Sequence, residues 1–268
     1  MELVFFGSGG GRIVLDKQVL ATGGFRINSK ELKLHAEPGP GALLKSLQYK
    51  QSPQELNAIF VSHAHLDHVN DARLMIECMN FGRFNKRYGT FIGSESVVKG
   101  HKEFEKQIDE FFKGMLEECV ALKAGEKKQF GKHAVLKATR TAHEDESAIG
   151  FVLETEGVKI GYTSDTQVFE GMEKEYDGCD VLLMNVLRPD GDNFPFHLSS
   201  NDAISLINKM EKKPKAIFLT HLGMKFVNAG PEKQREKIER KTGVKTFIAN
   251  EGTKVNILEL ISEQKKLD

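Results

Sequence analysis

The chain has 268 residues, of which 38 are basic and 38 acidic, and 40% of its residues are hydrophobic. Its size suffices for one sizeable core, and the zero net charge excludes a global positive field for nucleic acid or an anionic membrane. No apolar run approaches the ~18 residues of a membrane-spanning helix, and three widely spaced cysteines form neither a disulfide framework nor a zinc knuckle. We therefore expect one cytoplasmic domain, residues 1–268, with no membrane partner; homo-oligomerisation is left open.

The first quarter of the chain is predicted to be rich in strands. A glycine run at 7–11 lacks the lysine of a P-loop and, with a strand predicted after it, the helix of a dinucleotide-binding loop. We interpret it as a flexible turn near the active site. The alternation and turn residues predict strands at 3–6, 12–15, 19–27 and 32–36, followed by a helix at 42–49.

The clearest functional signal lies in residues 58–68. A short apolar run predicts a buried strand, which ends in His63, His65, Asp67 and His68. In an extended chain His63 and His65 point to the same side, so they can bind one ion. Asp67 and His68 fall where a helix is predicted to begin, so they are free to reach a second ion. This density of ligands is difficult to bury without a metal.

The rest of the chain alternates helices and strands. Apolar residues between 104 and 116 recur with the spacing of an amphipathic helix. We favour packing over the core as the role of this part of the 94–131 segment. A substrate lid or a dimer surface is the alternative. The pattern also predicts helices at 69–79, 201–210 and 232–241, and strands at 91–93, 134–139, 148–155, 158–163, 181–186, 216–220 and 246–249.

Further candidate ligands lie just past the carboxyl ends of predicted strands, namely His143, Asp165 and His221. Loops at one edge of a rigid sheet bring such residues together. We expect two divalent ions that share a hydroxide, with the Asp165 carboxylate bridging them. Imidazole and carboxylate ligands suit zinc best, with manganese or iron left open. The expected ligand sets are His63, His65 and His143 for one ion, and Asp67, His68 and His221 for the other.

Four motifs occur in the order found in the metallo-β-lactamase-fold hydrolase superfamily, and the sequence resembles that superfamily over nearly its whole length. The motifs are Ser62-His63-Ala64-His65-Leu66-Asp67-His68, then His143, then Thr163-Ser164-Asp165-Thr166, then Thr220-His221-Leu222. The resemblance implies an α/β fold, a four-layer αββα sandwich, with a dinuclear site at one edge of two packed sheets. Glu37 begins a loop that in the superfamily usually begins with Asp and supports the ligands.

One further motif favours a branch of the superfamily. Phe196-His197-Leu198-Ser199 resembles the extra-histidine motif of the phosphodiesterase branch, which includes tRNA 3′-end processing endonucleases. There the histidine assists the leaving group, so Asp67 and His197 are the candidate catalytic residues. Asn185 stands about where the tRNA enzymes carry a glutamate, and no long arm for tRNA is visible. A small or nucleotide-type phosphodiester is therefore preferred to RNA as the substrate.

Two other functions remain open at this point. One is a thioester, lactone or other ester hydrolase on the same ions, which would not need His197; the other is a metal-binding regulatory protein without turnover. His35, His101 and His133 are interpreted as structural. A solvated loop is favoured over a phosphate- or base-binding surface for a basic and aromatic cluster, which comprises Phe81, Arg83, Phe84, Lys86, Arg87 and Tyr88.

Overall fold

The computed structural model describes residues 1–83 and 86–264. The strands, numbered along the chain, are β1 Glu2–Phe5, β2 Phe25–Asn28, β3 Lys33–Ala36, β4 Ala58–Val61, β5 Thr90–Gly93, β6 Glu118–Ala121, β7 Lys127–Phe130, β8 Ala134–Arg140, β9 Ile149–Thr155, β10 Val158–Tyr162, β11 Val181–Arg188, β12 Leu198–Ser199, β13 Ala216–Thr220, β14 Lys245–Ile248 and β15 Lys254–Asn256. The helices are α1 Arg12–Lys17, α2 Ala42–Gln48, α3 Leu66–Val69, α4 Ala72–Asn80, α5 Glu95–Val98, α6 Glu110–Met115, α7 Met172–Tyr176, α8 Ser200–Lys209, α9 Met224–Asn228, α10 Pro231–Thr242 and α11 Ile257–Gln264. A short 3₁₀ turn spans Pro53–Glu55.

These strands form two sheets. The first has the order β15-β1-β2-β3-β4-β5-β6, and its strands from β3 to β6 run parallel. The second has the order β14-β13-β11-β10-β9-β8-β7, with β10, β11, β13 and β14 parallel and β12 paired to β11. Strand β4 is buried at every position, as expected for a parallel strand covered on both faces. The parallel strands of both sheets bring their carboxyl ends to the site described below.

Apolar side chains fill three layers. The two sheets face each other across a core rich in aromatic rings, where Phe60 packs edge-on against Phe151 with ring centroids 4.9 Å apart. A second cluster packs α7, α8 and α10 on the outer face of the second sheet, and a third packs α4 and α5 on the first. The predicted αββα sandwich is thus confirmed. None of the described helices is long and apolar enough to cross a membrane.

The structure differs from the sequence prediction in the opening region. Residues 12–15 belong to helix α1 rather than to a strand, and of 19–27 only the end enters β2. Ile13 is 57% exposed and Val14 is buried, and none of the described strands pairs with this apolar run. The strand propensity of such a run depends on having a pleated surface to pack against, which explains the error.

The predicted long helix at 104–116 is also wrong. Only α6 is helical there, because the Asp109 carboxylate accepts hydrogen bonds from the backbone of Phe111 and Phe112 and begins the helix at Glu110. Ile108 and Leu116 are buried as expected, but Phe111 is 67% exposed. The longer segment 94–131 also contains strands β6 and β7, which the apolar spacing did not indicate.

Candidate metal centre

Four of the expected ligands follow strand β4 directly. His65 keeps an extended backbone, with φ −69° and ψ 144°, so its ring lies on the same side as that of His63. Nε2 of His63 is 3.1 Å from Nδ1 of His65. Helix α3 then turns Asp67 and His68 in another direction. The ring of His68 nevertheless stays close to that of His63, with centroids 4.2 Å apart, so the two predicted pairs lie side by side.

The imidazole group consists of His63, His65 and His143, whose ligand atoms lie within 4.8 Å of one another. His143 follows strand β8 in the second sheet, so this group joins the two sheets. Nε2 of His143 is buried and has no hydrogen-bond partner among the described residues. Burial lowers the pKa of His143 to about 4 and that of His63 well below its usual value. Both rings are therefore neutral near pH 7, the form that binds metals.

The mixed group consists of Asp67, His68 and His221, and its ligand atoms also lie within 4.8 Å of one another. Nε2 of His221 is 3.2 Å from Oδ2 of Asp67, and Nε2 of His68 is 3.9 Å from the same oxygen. His221 follows strand β13 and has the left-handed φ of 55°. The structure thus brings His221, from the last quarter of the chain, to the helix that follows β4.

Asp165 lies between the two groups. Its Oδ2 is 3.2 Å from Nε2 of His221, 3.5 Å from Nε2 of His68 and 4.0 Å from Nε2 of His63. The other oxygen, Oδ1, accepts a hydrogen bond from Nδ2 of Asn185 at 2.7 Å. Asn185 therefore orients the carboxylate so that one oxygen faces members of both groups.

The donor set fits divalent metal ions. Nε2 of His68 and Nε2 of His143 are both buried and unpartnered in the described part of the chain. Burying polar atoms without partners costs free energy, and a cation bound at each of these nitrogens would remove that cost. Imidazoles with carboxylates are ligands that zinc, manganese and iron accept. The site is chemically suited to such ions.

Glu37 supports the ligands despite its departure from the usual Asp. Strands β3 and β4 pair in parallel with Ala36 opposite Phe60, which brings Glu37 beside Ser62. The Glu37 carboxylate accepts hydrogen bonds from the Ser62 backbone at 2.8 Å and from its hydroxyl at 2.7 Å, and it contacts Nδ1 of His68. This contact fixes the ring so that Nε2 of His68 faces the site.

Asp145 has a supporting role that the sequence analysis missed. It is 1% exposed, and its carboxylate accepts hydrogen bonds from the backbone and hydroxyl of Ser147, from the Ser96 hydroxyl and from the Ala64 backbone. It therefore ties the loop carrying His143 to the loop carrying His63. A signal was available, because Asp followed two residues later by Ser is typical of a turn in which the Asp side chain caps the backbone.

His197 lies at the edge of the cluster. Its Nδ1 donates a hydrogen bond to the Pro195 carbonyl at 2.9 Å, and its Nε2 is 3.2 Å from Oδ2 of Asp165. Burial would lower the pKa of His197, but the hydrogen bond and the charge of Asp165 outweigh it and raise the pKa. The following helix α8 begins at a capping box formed by Ser199 and Asp202, which fixes the end of this loop.

The glycine run at 7–11 contacts the mixed group. The Gly11 backbone donates a hydrogen bond to Oδ2 of Asp67 at 2.9 Å. A Cβ atom at Gly10 would lie 2.2 Å from the His221 ring, so a larger residue would collide with it. The run is therefore placed next to the site as predicted, and its lack of side chains lets the backbone approach the ligands.

Other predicted residues lie away from the cluster. His35 is fully buried in the first sheet, with Nε2 2.9 Å from the Gly23 carbonyl and its ring stacked on Phe6. In the basic cluster, the guanidinium of Arg83 lies over the Tyr88 ring at 3.6 Å. Phe84, which the sequence analysis placed in that cluster, lies outside the described residues.

Comparisons with known proteins agree with this architecture. The family model described as "Beta-lactamase superfamily domain" matches residues 34–222. An uncharacterised protein of Methanocaldococcus jannaschii, MJ1374, is 41% identical over 258 residues, which is 96% of each chain. Among solved structures, the metallo-β-lactamase fold protein YhfI from Bacillus subtilis is 17% identical with a TM-score of 0.74, over 95% of this chain and 98% of that one.

Two further solved structures share the fold. A diphosphatase from the PhnP family is 16% identical with a TM-score of 0.68, over 95% of this chain and 97% of that one. Human short-form tRNase Z is 14% identical with a TM-score of 0.67, over 96% of this chain and 99% of that one.

The four-layer sandwich and its edge cluster of histidines and aspartates define the class of metallo-β-lactamase-fold proteins, whose members are metal-dependent hydrolases. The match over residues 34–222 and the 41% identical relative show that this chain belongs to the β-lactamase superfamily domain family.

Proposed function

We propose that the chain is a dinuclear metal-dependent phosphodiesterase that acts on a small or nucleotide-type phosphodiester. The observation that carries this proposal is the position of His197, whose Nε2 lies 3.2 Å from Oδ2 of Asp165. It also lines a cleft that contains Asp67 and His221. The solved structure named as a diphosphatase supports a phosphorus centre as the target. An ester hydrolase with a good leaving group would not need this histidine.

The proposed ligands follow the two groups. The imidazole group would hold one ion, the mixed group would hold the other, and Oδ2 of Asp165 would serve both; zinc suits this set best. Bound ions of this kind lower the pKa of water and polarise a phosphoryl oxygen. Asp67 would accept a proton from the attacking water, with its carboxylate oriented by the hydrogen bond that the Gly11 backbone donates to Oδ2.

His197 would act on the leaving group. Because Nδ1 of His197 donates to the Pro195 carbonyl, that nitrogen keeps its proton, and a second proton on Nε2 makes the ring cationic. Nε2 can therefore donate a proton to the departing alkoxide, a step that general acids accelerate by ~10²–10⁴-fold.

The test compares two diesters in His197→Ala. We expect the variant to keep its metals and to lose ~10²–10⁴-fold in rate on an alkyl phosphodiester, which needs the proton. On bis(4-nitrophenyl) phosphate, whose leaving group departs unaided, the loss should be much smaller. His133→Ala is the matched control, because His133 is an exposed histidine outside the cleft.

Each other outcome has a distinct meaning. Equal losses on both diesters would give His197 a positioning role, and loss of metal would make it a ligand, since His143, Asp165 and His197 also form a three-atom set. Unchanged rates on both would remove His197 from the mechanism. Hydrolysis of a thioester or lactone without hydrolysis of either diester would contradict the proposed function.

A further inference from the structure

The cleft beside the cluster has room for more than a scissile phosphate. Its volume is about 800 Å³, within the ~300–1,000 Å³ of sites that enclose drug-sized ligands. Asp67, Asp165, His197 and His221 form one part of its lining. Helices α1 and α9, the end of β11 and the chain between β11 and β12 contribute further walls. These walls can therefore contact parts of a substrate that do not react.

Three cationic side chains line these walls, namely Arg12, Arg188 and Lys225. Nζ of Lys225 is 2.8 Å from Oδ2 of Asp192, and Nη1 of Arg188 is 3.7 Å from the same oxygen. Arg12 is exposed, and within the described residues it has neither a salt bridge nor a side-chain hydrogen bond. One carboxylate thus faces two of the cations, and the third is free to bind a ligand.

The cleft lining carries an excess of positive charge when the cluster holds ions. Asp67 and Asp165 would then be neutralised as ligands, which leaves Glu144 in the described lining and Asp192 beside it as the acidic groups that oppose three cations. A phosphate beside Arg12 and Lys225 would form charge-assisted hydrogen bonds, which are roughly twice as strong as neutral ones. The charge of the walls therefore favours an anionic group in addition to the one that reacts.

The same cleft exposes large apolar side chains. Ile13 is 57% exposed and Phe194 is 45% exposed, and both line the cleft. The Arg188 guanidinium lies over the Phe194 ring, with Cζ 4.3 Å from the centroid. An aromatic face held in this way is suited to stacking against a flat ring such as a nucleobase.

We propose that the cleft is a second-phosphate subsite, in which Arg12 and Lys225 bind a phosphate of the substrate that is not cleaved and Phe194 stacks on a base. This proposal rests on the proposed function and narrows its substrate to a nucleotide-type phosphodiester that carries an additional phosphate. The preference arises from walls outside the metal centre, so it is separable from the chemistry by mutation.

The test measures binding of two nucleotides to the metal-loaded protein by calorimetry. Thymidine 3′,5′-bisphosphate and thymidine 5′-phosphate differ by one phosphate, and we expect the wild type to bind the bisphosphate ~10–100-fold more tightly. Arg12→Met and Lys225→Met should each reduce this advantage by ~10-fold. Lys17→Met is the matched control, because it removes an exposed charge of α1 that does not line the cleft.

Equal affinities for the two nucleotides would overturn the subsite. So would an advantage that survives both substitutions, which would place the second phosphate on the metal ions. Hydrolysis of the dinucleotide TpT and of its 5′-phosphorylated form is measured separately. Failure to hydrolyse either would contradict the proposed function even if the binding difference is found, whereas hydrolysis of both without a binding difference would refute the subsite alone.

Discussion

The imidazole group and the mixed group lie side by side, yet they differ in charge and in support. Burial lowers the pKa values of His63 and His143, so both rings are neutral. The Ser62 hydroxyl lies 2.8 Å from Nδ1 of His63, and the Asp145 backbone donates a hydrogen bond to Nδ1 of His143. In the mixed group, burial alone would lower the pKa of His68, but the charges of Asp165 and Asp67 outweigh it and raise the pKa well above its usual value. Nearby charges therefore determine the protonation of His68 in the mixed group, and burial determines that of His63 and His143 in the imidazole group.

The two halves differ in the carboxylate that contacts them directly. Glu37 contacts His68 in the mixed group and reaches His63 only through the Ser62 hydroxyl, whereas Asp145 joins the loops that carry the imidazole group. Asp165 is the residue that both halves share. Substitution of Asp165 should therefore affect both ions. Substitution of Glu37 should act mainly on the ion at the mixed group, and substitution of Asp145 mainly on the ion at the imidazole group.

The largest effect is expected from Asp165→Ala. Removal of the shared carboxylate should lower phosphodiesterase activity by at least ~10³-fold, because residues that act as a unit lose most of their effect when one is removed. The fold should persist, since the apolar core between the sheets does not include Asp165. Activity and circular dichroism of the variant are compared with those of Asp16→Asn, which changes an exposed aspartate.

An unfolded Asp165→Ala protein, measured beside a folded metal-free wild type, would make Asp165 a structural residue. The proposed sharing of its Oδ2 by two ions would then be wrong.

Glu37→Gln should weaken binding of the ion at the mixed group more than binding of the ion at the imidazole group. The amide keeps an acceptor for Ser62 but loses the charge beside His68, and loss of such a supporting contact costs ~10–100-fold in metal affinity. Competition with a chelator measures the two binding constants, with Glu105→Gln as an exposed control. Equal weakening of both ions would contradict the separation of the two groups.

Asp145→Asn should produce the complementary effect at a smaller size. Asparagine retains one acceptor oxygen, so part of the contact with Ser147 and Ala64 survives. We expect a loss of roughly 10-fold in the affinity for the ion at the imidazole group. The same chelator competition provides the measurement. A loss confined to the binding constant of the ion at the mixed group would contradict the assignment of Asp145 to the imidazole group.

His35→Gln should leave activity unchanged and alter the dependence of stability on pH. Burial lowers the pKa of His35 to about 3, below the ~6.5 of an unfolded chain, so unfolding takes up a proton as the pH falls. The stability contributed by the neutral ring is present above pH ~6.5 and decreases as the pH falls toward 3, by roughly 3 kcal/mol between pH 7 and pH 4.

Urea unfolding of wild type and His35→Gln at several pH values tests this, because the cluster histidines are common to both proteins and cancel in the difference. We expect the wild type to lose more stability than the variant below pH ~6.5. Parallel pH curves would show that His35 does not titrate between the folded and unfolded states.

The sequence predicted the directions of ligands that lie close together in the chain. His63 and His65 are two residues apart in extended chain, and Asp67 lies in the first turn of helix α3, so their directions followed from local geometry. Ligands after strands β8, β10 and β13 were found because parallel strands end at one edge. Contacts that depend on strand register could not be derived: Glu37 reaches Ser62 only because Ala36 pairs with Phe60.

The two wrong predictions have different causes. Residues 12–15 have the composition of a strand, but they lie at the cleft, where none of the described strands pairs with them, and they form α1. Here the tertiary surroundings outweighed strand propensity. The apolar spacing at 104–116 is real, yet the local cap at Asp109 begins the helix late and the chain then enters β6.

One measurement tests the central claim most directly: hydrolysis of an alkyl phosphodiester by the metal-free protein as zinc is added in known equivalents. The account predicts little activity through the first equivalent and full activity as the second binds, because both groups and Asp165 must hold their ions together. Activity that reaches its maximum at one equivalent, or a protein with two bound ions that does not hydrolyse the diester, would contradict it.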